Sequence, residues 1–422
     1  MTLGLDVGER HNRPGVIFFL DFVSKDLYNR RKNVGSDRKM TVIEFFDDNA
    51  IENIVSTLLC RPDHVIFIGS NRKQMLRAIE NYQRIARGRE IPVEFDHRVV
   101  NKNNLTNIIE ELMALVEKYG VCTFDLAGGD DLYLVAIGIL FEYFGSERVQ
   151  LHRFNIRNGS LTDCDADGNL MAAEPAVMTI EENIWAYGGR IVYEEEDTLG
   201  TYRWDFSEDF CADINDMWEI CRRDATHWNS QITLLAGLEQ PPQMPDPALL
   251  KELELAAVIR CEEGRIIYKN EQVQRCLSKA GTILELKITL LASRQTDKKG
   301  RPLYNDILCG GMIDWHGFSG DEESQVRNEV DVLLMKGLVP IFISCKNGQM
   351  EVDELYKLNT VARRFGGKYA KRVLVASELE KMKLKGEYIH TRAEDMGIQV
   401  VDEVDTIGEE KLIRAICSLW SN

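Results

Sequence analysis

Residues 328–348 read NEVDVLLMKGLVPIFISCKNG. Two runs rich in Val, Leu, Ile and Phe flank Met335-Lys336-Gly337-Leu338, a pattern that predicts two buried strands with Lys-Gly as the turn. Each run carries, at its far end, groups that a core rejects: Glu329 and Asp331 before the turn, Lys346 after it. Side chains alternate along a strand, so Glu329 shares a face with Asp331, and Ser344 with Lys346. A turn centred on Lys336-Gly337 sets Asp331 opposite Phe342 and Glu329 opposite Ser344, gathering the four polar residues on one side. A one-residue slip would scatter them. Two readings stand: a buried ion pair without chemistry, or carboxylates that hold a hard divalent cation, with a lysine to steady charge developing on a phosphate.

The hairpin sits inside a larger unit. The stretch QPPQMPDP at 240–247 cannot continue a helix and reads as a linker. After it come ELELAAVIRC, a strand-like RIIYK, a single long helix NEQVQRCLSKAGTILELKITLLAS that carries Glu285, and a strand DILCGGMIDW. Beyond the hairpin, the pattern predicts a helix over 351–365, a strand RVLVAS, a short helix near Ala393 and a strand IQVVD. The order is α-β-β-β-α-β with the hairpin at its centre.

Upstream, TVIEFF, HVIFIG, VEFDHRVV and CTFDLAGG read as strands, each followed by a helical pattern. That alternation predicts a parallel sheet with helices on both faces, whose ligands bind beyond the carboxyl ends of the strands. Those ends are Asp47-Asp48-Asn49, Gly69-Ser70-Asn71 and Ala127-Gly128-Gly129-Asp130-Asp131. Gly128-Gly129 ahead of a helix either lets backbone N–H groups approach an anion or makes a tight turn with no ligand. No GxGxxG or GxxxxGK[ST] points to a dinucleotide or a P-loop. Between 178 and 240, helices MTIEENIWAYGG and FCADINDMWEICRRDATHWNSQITLLAG flank a strand RIVYEEE. The division is an N-terminal extension over 1–39, a parallel-sheet domain with a hairpin and helical insertion over 40–240, a linker over 241–260 and a second α/β domain over 261–422.

A net charge of −17 argues against a surface coated for nucleic acid, so any such contact is local. The ten cysteines are scattered with no CxxC pair, which fits neither a disulfide framework nor a zinc module and suits a reducing cytoplasm. No apolar run has the length of a membrane span. Asp163, Asp165, Asp167, Gly168 and Glu174 match calcium-loop spacing. The flanks read as a strand and a proline, however, so a hairpin with an acidic DADG turn is expected there instead.

The second unit resembles the PD-(D/E)xK nuclease fold, in which a helix carries a Glu, the first hairpin strand an Asp and the second a (D/E)xK. The matching residues are Glu285 in AGTILE, Asp331 in NEVD and Lys346 in SCK. Ser344 stands where that family has Asp or Glu, with Glu329 or Glu354 as candidates to replace the carboxylate. The strand and acidic GG turn of FDLAGGDD resemble a CARF domain, the sensor of cyclic oligoadenylates in type III CRISPR systems. Over 40–422, with EFFDDNAIENI and VPIFISCKNG, the chain resembles the cyclic-tetra-adenylate-activated CARF nucleases.

The resemblance implies a Rossmann-like parallel-sheet CARF domain followed by a restriction-endonuclease-like α/β domain. It implies a cytoplasmic homodimer with one cyclic tetra-adenylate on its two-fold axis. Asp48, Asn49, Gly69, Ser70, Asn71, Gly128, Gly129, Asp130 and Asp131 would contact that ligand. It further implies hydrolysis of single-stranded DNA or RNA with Mg²⁺ or Mn²⁺. The metal would be held by Asp331 with Glu285 or Glu329, with the backbone carbonyl of Cys345 and Glu354 as further candidates, and Lys346 would stabilise the transition state. Nine Lys and Arg residues between Lys357 and Lys385 offer a phosphate-tracking surface, and Tyr356, Tyr369 and Tyr388 offer rings for unpaired bases. The alternatives are a sensor whose nuclease fold lost activity, for which Ser344 speaks, and an activator-independent DNase.

Overall fold

The alternating apolar pattern after Met40 folds as expected in the computed structural model, which describes residues 39–156, 159–164, 175–237, 245–317 and 326–418. Strands β1 (Thr41–Phe45), β2 (His64–Gly69), β3 (Glu94–Val99), β4 (Cys122–Asp125) and β5 (Val149–Asn155) pair in parallel, and β6 (Ser160–Asp163) closes the edge antiparallel to β5. The order is β3-β2-β1-β4-β5-β6. The winding reverses between β1 and β4, the place where open α/β sheets bind ligands.

Both faces of this sheet are covered. Val42, Val65 and Phe67 pack against helices α1 (Ala50–Cys60) and α2 (Arg72–Gly88). Ile43, Phe45, Ile66 and Ile68 pack against α3 (Leu105–Tyr119) and α4 (Asp131–Phe144). This is why β2, with Val65-Ile66-Phe67-Ile68, reads as a continuous apolar run and not as an alternating one.

Helix α5 (Ile180–Ala186) opens with a capping box between Thr179 and Glu182 and leads into the second sheet through β7 (Arg190–Ile191). Helices α6 (Glu208–Cys221), α7 (Ala225–Ala236) and α8 (Pro247–Leu255) follow, then a small hairpin of β8 (Ile259–Glu262) and β9 (Arg265–Tyr268). Next come α9 (Glu271–Cys276), α10 (Thr282–Ser293), β10 (Asp306–Asp314), β11 (Arg327–Lys336), β12 (Val339–Lys346), α11 (Asp353–Gly366), β13 (Lys371–Ala376), α12 (Leu384–Asp395), β14 (Gln399–Val401) and α13 (Glu409–Ser418). The second sheet has the order β14-β13-β12-β11-β10-β7, antiparallel from β7 to β12 and parallel from β12 to β14. Helix α10 covers one face with α6 and α7, while α11 covers the other within an apolar cluster shared with α1 and α2. No helix among the described residues is long and apolar enough to cross a membrane.

Several sequence expectations shift. RIVYEEE forms only two residues of strand, and these join the second sheet, so the change of sheet falls well ahead of the proline-rich stretch. The long helix expected from Asn270 breaks between α9 and α10, and the one expected from Phe210 breaks at Asp224, whose side chain caps α7. Propensity reads through such breaks, because caps and tertiary contacts decide them. Strands β5 and β6 already pair antiparallel ahead of DADG, from Asn155–Ser160 to His152–Asp163, and β6 runs to Asp163 where a calcium loop needs a helix. Residues 165–174, 1–38 and 238–244, with the rest of that motif, the extension and most of the proline-rich stretch, lie outside the described residues.

Candidate functional site

The hairpin turns one residue later than its sequence predicts. Lys336 pairs with Val339 and Val332 with Ile343, so Gly337-Leu338 forms the turn and Gly337 takes φ +62°. A two-residue hairpin turn needs positive φ at its first central position, which Gly adopts and Lys resists. Partners thereby move by two residues, an even number, and the polar residues keep a common face. Asp331 meets Ser344 and not Phe342, and the expected pairing of Glu329 with Ser344 gives way. The ladder stops at Val332–Ile343, where the Asp331 carboxylate takes over. Its Oδ2 accepts from the Cys345 N–H at 2.7 Å and from Ser344 Oγ at 3.2 Å. Ser344 therefore supports the carboxylate of its neighbour, and Cys345 is seen as a donor to Asp331, its thiol in the core and pushed up by burial.

Four carboxylates and two lysines meet at this end of the sheet. Lys346 Nζ lies 2.9 Å from Glu354 Oε2 and 3.7 Å from Asp331 Oδ2. Glu285, from the first turn of α10, is 5% exposed. Burial, then the charge of Asp331, pushes its carboxyl up to about 8. A second lysine, which the sequence reading passed over, completes the group: Lys279 Nζ sits 2.8 Å from Glu329 Oε1 and 3.7 Å from Glu285 Oε1. Burial alone would lower the ammonium of Lys279, but Glu285 and Glu329 outweigh it and hold it up. The break between α9 and α10 puts it there, with the buried Trp228 indole donating to the carbonyl of Ala280 at 3.2 Å. Glu354 is held below its usual range, since Lys357 and Lys346 together outweigh its burial.

Does this group fit a divalent cation? Among the described residues, no three His, Cys, Asp or Glu side chains close on one point. Mg²⁺, however, is held by one or two carboxylates with water and substrate phosphate making up the rest. Glu285 and Asp331 supply two oxygen donors whose mutual repulsion a cation relieves. The donor chemistry fits.

The basic run beyond the hairpin is largely engaged within the chain. Lys357 pairs with Glu354, Lys368 with Glu52, Lys381 with Glu378 and Lys385 with Glu351, while Arg364 and Arg372 donate to Tyr187 O and Asn359. Tyr369 donates to Glu52 and is turned inward. Tyr356 and Tyr388 keep exposed rings, with Arg392 against Tyr356. The expected phosphate surface thus reduces to fewer cations and two rings.

At the first sheet, the turns after β1, β2 and β4 stand side by side at the carboxyl ends, as predicted. Asp48, Ser70, Asn71, Gly129, Asp130 and Asp131 are exposed; Gly69 and Asn49 are buried. Asn71 caps α2, Gln74 reaches Asp48 at 2.5 Å, and Lys102, from the turn after β3, pairs with Asp130 at 3.3 Å. Gly129 has φ +96°, and a Cβ there would lie 2.7 Å from Phe45 and 2.8 Å from Tyr133. The glycines are thus required by packing, and the backbone they expose is a consequence of it. Asn49 departs from its expected place among exposed ligand groups, because its side chain accepts from Tyr187 instead.

Below the turn lies a polar cluster without access to solvent: Glu44, Ser56, Asp125 and His152. Ser56 donates to Asp125 and lies 3.1 Å from His152 Nε2, and the other oxygen of Asp125 holds the Ala127 N–H at 2.7 Å, fixing the start of the glycine turn. Burial, then Asp125, pushes the Glu44 carboxyl well up. A folded-state pKa above the unfolded value gives stability that is full at low pH and lost as pH rises toward the folded pKa. Thermal unfolding of Glu44→Gln should therefore gain on the parent as pH rises from 5, by up to about 1.4 kcal/mol per pH unit. A difference independent of pH would refute this.

No family model matches the sequence, and no curated protein resembles it. Solved structures do. Protein VC1899 from Vibrio cholerae aligns with a TM-score of 0.69 at 19% identity, covering 90% of this chain and 97% of that one. Can2 from Sulfobacillus thermosulfidooxidans, in complex with cyclic tetra-adenylate, aligns with a TM-score of 0.66 at 15% identity, covering 90% and 99%. The chain has their fold. It is the α/β architecture that the sequence predicted, a Rossmann-like parallel sheet followed by a second α/β unit.

Proposed function

We propose that the chain is a cyclic-oligoadenylate-activated, metal-dependent endonuclease of type III CRISPR defence that cleaves single-stranded DNA or RNA as a homodimer. One observation carries the reading: Glu285 and Asp331 meet beside Lys346 at the end of a hairpin, in the fold of a protein solved with cyclic tetra-adenylate.

In this reading Glu285 and Asp331 hold Mg²⁺ or Mn²⁺, with Glu329 or the Cys345 carbonyl as a further donor. The ion, when bound, supplies Lewis-acid neutralisation of the phosphate and activation of water. Cys345 N–H and Ser344 orient the carboxylate of Asp331, as groups around a metal ligand do. Lys346 donates to the phosphoryl oxygen on which charge builds, which requires it to leave Glu354. At the other sheet, the backbone of the Gly128-Gly129 turn and the Ser70-Asn71 turn donate to ligand phosphates. Asp130 and Asp131 accept from adenine amino or ribose hydroxyl groups, and Lys102 adds a cation at the rim. Two copies would face one ring across a two-fold axis. Support for a second copy is the exposed apolar side of α4, with Leu134, Val135, Ile139 and Phe141.

The test is cleavage of labelled single-stranded DNA and RNA with Mn²⁺, with and without cyclic tetra-adenylate. Cleavage only with activator is expected. Equal cleavage without it would leave a constitutive nuclease, and no cleavage despite bound activator would leave a sensor alone.

A further inference from the structure

The turn after β1 faces two ways. Asp48 is exposed at the ligand rim, while Asn49, the next residue, is buried and its Oδ1 accepts from Tyr187 Oη at 2.5 Å. One turn further, Glu52 in α1 is 5% exposed. Its Oε2 accepts from Lys368 Nζ at 2.8 Å and its Oε1 from Tyr369 Oη at 2.5 Å. Both partners lie just past the carboxyl end of α11. Gly367, just before them, packs against Asn49 and Tyr187 with φ +57°, and a Cβ there would come within 2.5 Å of Asn49 Oδ1 and 2.6 Å of Tyr187 Oη. Asn183 Nδ2 donates to Phe365 O at 2.6 Å and Arg364 donates to Tyr187 O at 2.6 Å, so the end of α11 is clamped from two sides.

At its other end α11 carries Glu354, which holds Lys346. Leu355, Leu358, Val361, Ala362 and Phe365 are buried along its length. A helix packed in this way moves as one body, and about 20 Å separates its two ends at 1.5 Å per residue. A polar clamp of five hydrogen bonds therefore joins the ligand turn of one sheet to the helix that carries the partner of the lysine in the other.

We infer that Asn49 and Glu52 are positioning residues for the nuclease site, acting through α11 on Glu354. In the clamped arrangement Glu354 holds Lys346, 2.9 Å away against 3.7 Å for Asp331. A ligand that binds Asp48 and the glycine turn draws the β1 turn toward itself and shifts α11 with it. Glu354 then releases Lys346 toward Asp331 and the phosphate. The ligand drives this only in so far as it binds the shifted turn better. The inference rests on the activated-nuclease reading above.

The experiment compares the intact chain with Glu52→Gln and Tyr187→Phe. Each removes one bond of the clamp and touches neither the carboxylates of the nuclease site nor the exposed rim. Cyclic tetra-adenylate binding and the KM for a labelled strand are expected to stay within about threefold, while the ratio of activated to basal kcat falls about tenfold, within the range of known couplings. Lys368→Met, at an ammonium 56% exposed, gives the same readout should Glu52→Gln fail to fold. A parent chain that activator does not stimulate would remove the functional reading, and the inference with it. A stimulated parent whose variants keep its ratio within about twofold would overturn the inference alone.

Discussion

Asp331→Asn is expected to lower metal-dependent cleavage by about a thousandfold, the upper end of what loss of one electrostatic group at a reacting phosphate costs. One carboxylate oxygen is committed to Cys345 N–H and Ser344. The amide can keep those bonds but offers no charge to a cation, and Glu285 would be left to hold it alone. The same substitution removes the charge that helps push Glu285 up, so the metal-free variant should unfold no earlier than the parent. That pairing of results separates chemistry from folding. Single-turnover cleavage with Mn²⁺ and a thermal scan without metal decide it. Undiminished cleavage would reduce the hairpin end to an ion-pair cluster, and loss of stability together with activity would make Asp331 a structural residue.

How much of this was legible beforehand follows from what each residue depends on. The two sheets could be read because β1, β2, β11 and β12 are apolar runs bounded by turn residues, and period and composition alone predict such strands. The meeting of Asp331 with Lys346 was legible for the same reason, and survived a wrong turn only because the shift was even. Lys279 was not legible. Its place depends on a helix break held by Trp228, some fifty residues upstream, and no local pattern encodes that contact. The buried cluster of Glu44, Ser56, Asp125 and His152 was hidden in the same way, since each member looks like an ordinary strand or helix residue until four segments are brought together. Asn49 and the basic run failed for a different reason. Polar type was read as exposure, whereas contact between the halves turned Asn49, Lys368 and Tyr369 toward one another's segments. Ser344 shows the limit of motif reading from the other side: it departs from the family pattern, yet its hydroxyl supports the carboxylate that the pattern needs.

In the proposed homodimer, Leu134→Lys combined with Ile139→Lys is expected to leave a monomer, and to weaken cyclic tetra-adenylate binding by about a hundredfold or more, a loss of roughly 3 kcal/mol. Both side chains lie on α4, 52% and 44% exposed, beside Val135 and Phe141, and this helix starts at the acidic end of the glycine turn. An apolar stripe that a monomer would leave in water is a face for association. On a two-fold axis it would bring a second glycine turn toward the first. Two lysines per protomer then meet their copies across the axis, where like charges repel. The fold should tolerate them, because the buried side of α4, with Tyr133, Ala136, Ile137 and Leu140, is untouched. Light scattering after size exclusion reads the assembly, and titration calorimetry the ligand. A variant that stays dimeric would place the interface elsewhere. A monomer that binds the ring as tightly as the parent would mean that one copy holds the whole ligand, and that the turns after β1, β2 and β4 of a single chain are a complete site.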